Sequence, residues 1–173
     1  MSKGILDHSS EDAQASMSVV GRTVIIIGLL LGAVNFALEY GLDALPLSER
    51  WARQAGLAFF LFFVWLAVSS GVRAVDKLMP GIAVGWLFIT GLGIGLWGQA
   101  VFSLARWAAP QFRGEATASL LSFIVPGLLP SLAASLLVAV LTAITLRVKS
   151  KLAATALRLL LFGLLALFIY LKM

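Results

Sequence analysis

The sequence predicts an all-α fold, a polytopic transmembrane helix bundle of about five spans with one short interfacial helix. Three observations predict it. Apolar residues make up 61% of the chain and charged residues 12%, with a mean hydropathy of +1.01, against roughly half and a quarter in soluble domains. The apolar residues gather into runs of about 20, the length that crosses about 30 Å of hydrocarbon as a helix. Lys and Arg, which give the formal charge of +5, sit mostly at the ends of those runs, where they anchor helices and meet anionic headgroups.

Residues 1–21 read as a polar N-terminal tail and 22–173 as a single bundle, with connectors too short for an extramembrane domain. The tail, rich in Ser, Asp and Glu, can hold a short capped helix from Ser9 or Ser10 and is otherwise expected to be mobile. It lacks the short basic start and small-residue cleavage site of a removable signal, so the first helix is expected to stay. The first span, 23–40, reaches full length only with its polar ends, and "GLDALPLSERWARQ" reads as a loop around Pro46. The second span is 55–72, closed by the charged turn "RAVDKLMP". Pro80 then stands at the first turn of the third span, 81–104, where its missing N–H costs nothing.

The apolar stretch 120–146 is long for one crossing and short for two. Pro126, Gly127 and Pro130 favour a break, giving an interfacial helix over 117–125 and a fourth span over 129–146. A fifth span, 152–171, carries Arg158 about two turns inside its start. With five crossings, Lys3, Arg22, Arg73, Lys77, Arg147, Lys149, Lys151 and Arg158 fall on one side. Arg50, Arg53, Arg106, Arg113 and Lys172 fall on the other. The excess puts the N-terminus in the cytoplasm, with Tyr40, Trp51, Trp107 and Tyr170 near the outer interface.

"TGLGIGLWGQ" carries Gly93, Gly95 and Gly98 in the spacing of a dinucleotide-binding loop. That motif requires a preceding strand, a helix opening at the glycines and an acidic residue about 20 positions on. Here the glycines lie inside an apolar helix, so no cofactor is expected. At 100° per residue, Gly81, Gly85, Gly91, Gly95, Gly98 and Gln99 share one arc, with Trp86, Gly93 and Trp97 opposite. Small residues let membrane helices approach closely, which gives the glycines a packing role and makes Gly93 incidental. On the first helix Gly21, Gly28, Gly32, Asn35 and Glu39 form a narrow stripe, and on the fourth Ser131, Ser135, Thr142 and Thr145 share a face. Gly28, Gly32, Gly85, Gly91, Gly95, Gly98, Ser131 and Ser135 are the packing residues so predicted. The first, third and fourth helices are expected to form the tight core, leaving the Leu- and Phe-rich second and fifth outside.

Polar groups within spans mark ligand sites or tie helices together. Asn35, Glu39 and Gln99, with Arg53 and Arg106 at the same end, form a candidate polar cluster near the outer leaflet. The same residues also suit a bland role, Glu39 paired with Arg at headgroup depth and the amides bonding between helices. Arg147, Lys149, Lys151 and Arg158 can hold anionic lipid headgroups or serve as inside anchors. Ser69 and Ser70, beside Gly71, read as a helix-end packing site.

The chain has no cysteine and a single histidine, His8, in the tail, and no acid stands at the centre of a span. No nucleophile and base pair and no metal-ligand cluster can be assembled, so neither an enzyme nor a metal site is expected. The dispersed positive charge does not suit nucleic acid.

The stretch "SSGVRAVDKLMPGIAVGWLFITGLGIGLWGQAVFSLARW", with "TLRVKSK" further on, resembles a family of four-helix bacterial integral membrane proteins catalogued as a domain of unknown function, DUF4199. The resemblance covers roughly residues 28–151 and is one of pattern; 152–171 is extra to it. It implies a bacterial cytoplasmic membrane and carries no activity or site residues.

Two functions remain open. One is a noncatalytic membrane protein acting by helix packing, as an accessory or scaffold subunit among other membrane subunits or by self-association. The other is a small-solute or lipid transporter or channel using the polar cluster, for which the interrupted stretch "IVPGLLP" is the second motive. Membrane lipids are partners in either case.

Overall fold

A computed structural model describes the backbone of residues 5–46, 48–114, 119–148, 150, 152–153, 155–157, 159–160, 163–164 and 167. Side chains are described for those among them from residue 14 on, Asp43 apart. The described residues are all-helical, in the order α1 (Ile5–Asp43), α2 (Glu49–Leu78), α3 (Val84–Gln111) and α4 (Leu120–Arg147). All four are long and apolar enough to cross a membrane, so this is a membrane protein. Half of the expected fifth span, 152–171, lies outside the described residues.

Each helix outruns its apolar stretch. α1 takes up most of the expected tail and continues to Asp43; α2 takes up "ERWARQ" at its start and "RAVDKL" at its end. Hydropathy marks the portion in hydrocarbon, while charged and polar residues at headgroup depth continue the helix with their side chains in water. The turns that stop the helices are accordingly short. Met79 caps α2 by donating its N–H to the Val75 carbonyl. Pro80 forbids continuation, and Gly81 takes φ +84, a left-handed value that suits glycine. Pro80 therefore belongs to the turn, and α3 begins at Val84.

The stretch after the third helix differs from expectation. In place of an interfacial helix over 117–125 and a span over 129–146, one helix runs from Leu120 to Arg147 with Pro126 and Pro130 inside it. Proline removes a ladder hydrogen bond, but a neighbouring helix can supply donors within a membrane. Here Ser103 Oγ of α3 donates at 3.2 Å to the Phe123 carbonyl, the neighbour of the Ser122 carbonyl that Pro126 leaves without its ladder donor.

α3 is the central element, packed on α1, α2 and α4, while among the described residues α1 and α4 do not meet. Level contacts show the directions. Gly28 meets Ile94 and Trp97 and Gly32 meets Gly98 and Val101, so α1 and α3 run parallel. Gly91 meets Ala139 and Gly95 meets Ser135, so α3 and α4 are antiparallel.

α2 is not an outer helix. Its Val64, Val68, Val72 and Val75 are fully buried against Leu87 and Ile94 of α3 and Val138 and Ala139 of α4. Their 4, 4 and 3 spacing makes one stripe, and only the opposite face, with Phe59, Phe62 and Leu66, is exposed.

Candidate functional site

The glycines sort onto two seams of α3. Gly98 faces α1, where a Cβ on Gly98 would stand 3.3 Å from the Gly28 carbonyl and one on Gly32 2.6 Å from the Gly98 carbonyl. Gly91 and Gly95 face α4, against Ala139 and Ser135, and Ser131 Oγ donates to the Gly95 carbonyl at 3.0 Å. Ser135 Oγ is buried on this seam with no hydrogen-bond partner among the described residues. Two expectations about the seams need correction. Gly85 lies in the first turn of α3 with open space where its Cβ would be, so it packs nothing. Gly93 does not face away; a Cβ there would stand 2.9 Å from Val24 Cγ2 of α1.

The five residues of the expected polar cluster divide. Asn35, Glu39 and Arg53 line one cleft of about 370 Å³ between the end of α1 and the start of α2, with Phe102 of α3 at its back. The parallel course of α1 and α3 brings Arg106 level with Glu39, and Arg106 Nη2 stands 3.2 Å from Glu39 Oε1. The same guanidinium lies over the Phe102 and Phe123 rings at 5.7 and 5.8 Å, a cation–π arrangement that orients it. Gln99 is turned the other way, buried between α3 and α4 against Gly127. Its Nε2 donates to Ser103 Oγ at 3.1 Å, and Ser103 passes the chain on to Phe123. Gln99 thus bonds within its own helix, and Ser103 makes the tie to α4.

Glu49 is the charged cleft residue that sequence reasoning misses, because "SERWARQ" reads there as part of a loop. Once helical, Glu49, Arg53, Gly56 and Phe60 fall 4, 3 and 4 apart on one face, and all line the cleft. Glu49 Oε1 accepts from Arg53 Nη2 at 2.9 Å. The cleft is therefore amphipathic, with Leu38, Leu42, Leu57, Phe60 and Phe102 as its apolar wall and the Asn35 amide, the Glu39 and Glu49 carboxylates and the Arg53 guanidinium as its polar lining, Arg106 pairing with Glu39 from outside that lining. Such a surface can hold a molecule with an apolar body and a charged or polar head. Tyr40, 4.7 Å from Phe36, and exposed Trp51 stand at the same end, where interfacial aromatics belong.

At the opposite end Arg147 is engaged within the chain. Its Nη2 donates to the Ile82 carbonyl at 2.7 Å and stands 3.2 Å from Asp76 Oδ1, an ion-pair distance without hydrogen-bond alignment. Lys149, Lys151 and Arg158, grouped with it as a headgroup site, lie outside the described residues, as does the His8 side chain. Ser69 and Ser70 donate to the Leu66 carbonyl of their own helix. No protein-family model, curated protein or solved structure matches the chain.

Proposed function

We propose that the chain is a noncatalytic membrane protein that binds, and through binding handles, a small amphiphile at the cleft between α1 and α2. The observation that carries this reading is the joining of an apolar wall to a polar mouth in one cleft at the end of the bundle. It gives precedence to the transport or lipid-handling function over the packing function, because Gly28, Gly32, Gly91, Gly95 and Gly98 all lie against helices of the same chain. The assembly function now rests on the exposed ridge of Ile25, Ile26, Leu29 and Leu30 on α1, a surface that lipid covers equally well. The positive-inside rule supports an orientation with the N-terminus in the cytoplasm and the cleft toward the outer leaflet, and the family resemblance supports a bacterial cytoplasmic membrane.

Extraction in mild detergent, followed by mass determination of the intact particle and whatever stays bound, tests the proposal. A particle carrying an amphiphile that Gly56→Leu displaces is the expected result. The substitution suits the purpose because a Cβ on Gly56 meets only Leu42 Cδ1, at an ordinary 3.7 Å, while a longer side chain enters the cleft. An empty particle in fixed ratio with other membrane subunits would instead favour the accessory function.

A further inference from the structure

The charges at the cleft mouth select among amphiphiles, on the premise that the cleft binds one. Of the charged groups lining the cleft, Glu49 is paired with Arg53 and Glu39 is neutralised by Arg106, which stands outside the lining, so the site and its ion-pair partners carry no net charge. An anionic head gains the Arg53 guanidinium but meets both carboxylates; a cationic head gains the carboxylates but meets Arg53. A head that carries both signs, joined by a short spacer, can face an arginine with one end and a glutamate with the other. Arg53 bonds Glu49 through Nη2, and a guanidinium has five N–H donors, enough to hold a carboxylate and a phosphate together.

The positive end is a primary ammonium rather than a quaternary one. Carboxylates recognise an ammonium through its N–H donors, whereas a quaternary amine needs several aromatic faces around it. The cleft offers Phe60 and Phe102, and Phe102 already lies beneath Arg106. A volume of about 370 Å³ suits a headgroup with the first carbons of its chains, and a remainder that stays in the bilayer. We infer that the cleft binds the zwitterionic headgroup of an ethanolamine phospholipid, its phosphate on Arg53 and its ammonium on Glu49.

Full-length protein in neutral detergent is mixed with equimolar dioleoyl phosphatidylethanolamine, phosphatidylcholine and phosphatidylglycerol, and bound lipid is counted by native mass spectrometry. The ethanolamine lipid is expected to be retained roughly tenfold over either competitor, as a charge-assisted hydrogen bond at the head warrants. Glu49→Gln, on an exposed side chain that folding does not need, should remove the preference for ethanolamine over choline; Gly56→Leu should remove binding of all three. Equal retention of the three lipids, or preference for phosphatidylglycerol, with loss in Gly56→Leu, would overturn the headgroup inference and leave the cleft proposal standing. No retention, or retention indifferent to Gly56→Leu, would overturn both.

Discussion

Gly32→Ala is the sharpest probe of the seam between α1 and α3. The added methyl carbon would lie 2.6 Å from the Gly98 carbonyl oxygen and 2.6 Å from Val101 Cβ, where an ordinary carbon–oxygen contact is about 3.3 Å. Neither neighbour is the free end of a flexible side chain, so α1 must withdraw by about 0.7 Å, the difference from that contact distance. A gap of that size forfeits a quarter to a half of each contact across the seam, at about 0.1–0.2 kcal/mol per atom pair. Over about 40 pairs, the number one buried leucine makes, the loss is about 1.5–3 kcal/mol. Alanine's better helix propensity returns up to about 1 kcal/mol. A net destabilisation of about 1–2 kcal/mol is expected from these terms. Gly85→Ala, with open space around its Cβ, receives only the propensity gain. The assay is unfolding of both variants and the parent by sodium dodecyl sulfate in mixed micelles, followed by circular dichroism. Gly32→Ala as stable as Gly85→Ala would refute the close approach of the two backbones.

The other expectations concern ties between elements and the orientation of the bundle. Ser131→Ala removes the hydroxyl that bonds the Gly95 carbonyl and should lower stability by roughly 0.6 kcal/mol, the mean for hydrogen bonds between membrane helices; no change in the same titration would exclude a stabilising tie. Arg147→Gln should cost no more than about 1 kcal/mol, because the pair with Asp76 is partly exposed and screened, and its effect should shrink with added salt. A larger, salt-independent loss would assign Arg147 a role in packing. Since the chain has no cysteine, Ser48→Cys and Met79→Cys each give a single thiol, at the α1–α2 and α2–α3 turns. An impermeant maleimide applied to cells should label Ser48→Cys and spare Met79→Cys; the reverse pattern would invert the proposed orientation.

The first three long helices and the later turns of the fourth were legible because apolar composition and length together dictate a span; the start of α4 was not, because Pro126 and Pro130 read as a break. The helix ends were not legible either, since hydropathy falls off at the headgroups while the helix continues, as Glu49 to Arg53 show. The neighbours of each helix were also hidden: the Phe- and Leu-rich sequence of α2 looks lipid-facing, yet its valines every three or four residues form the centre of the bundle. A helical wheel puts the α3 glycines other than Gly93 on one packing face because it assumes one partner, whereas α3 has partners on several sides and uses Gly93 and Gly98 toward α1, Gly91 and Gly95 toward α4. For the polar cluster, position along the helix axis was readable and rotation was not. Glu39, Arg53 and Arg106 were correctly placed at one end, but Gln99, at a similar depth, turns to α4.

The two prolines inside α4 bear on the order in which the bundle can form. Pro126 and Pro130 offer no N–H to the carbonyls of Ser122 and Pro126, one turn earlier, so the first turns of α4 are the part of that helix least able to stand alone in lipid. From α3 the Ser103 hydroxyl donates to the Phe123 carbonyl, next to that of Ser122, and Gly127 admits Gln99 beside it. The start of α4 is therefore braced by docking on α3, while its later turns, free of proline, can form on insertion. Ser103→Ala should then speed amide exchange over residues 120–130 well before residues 131–147; uniform acceleration along α4 would show that its first turns need no such template.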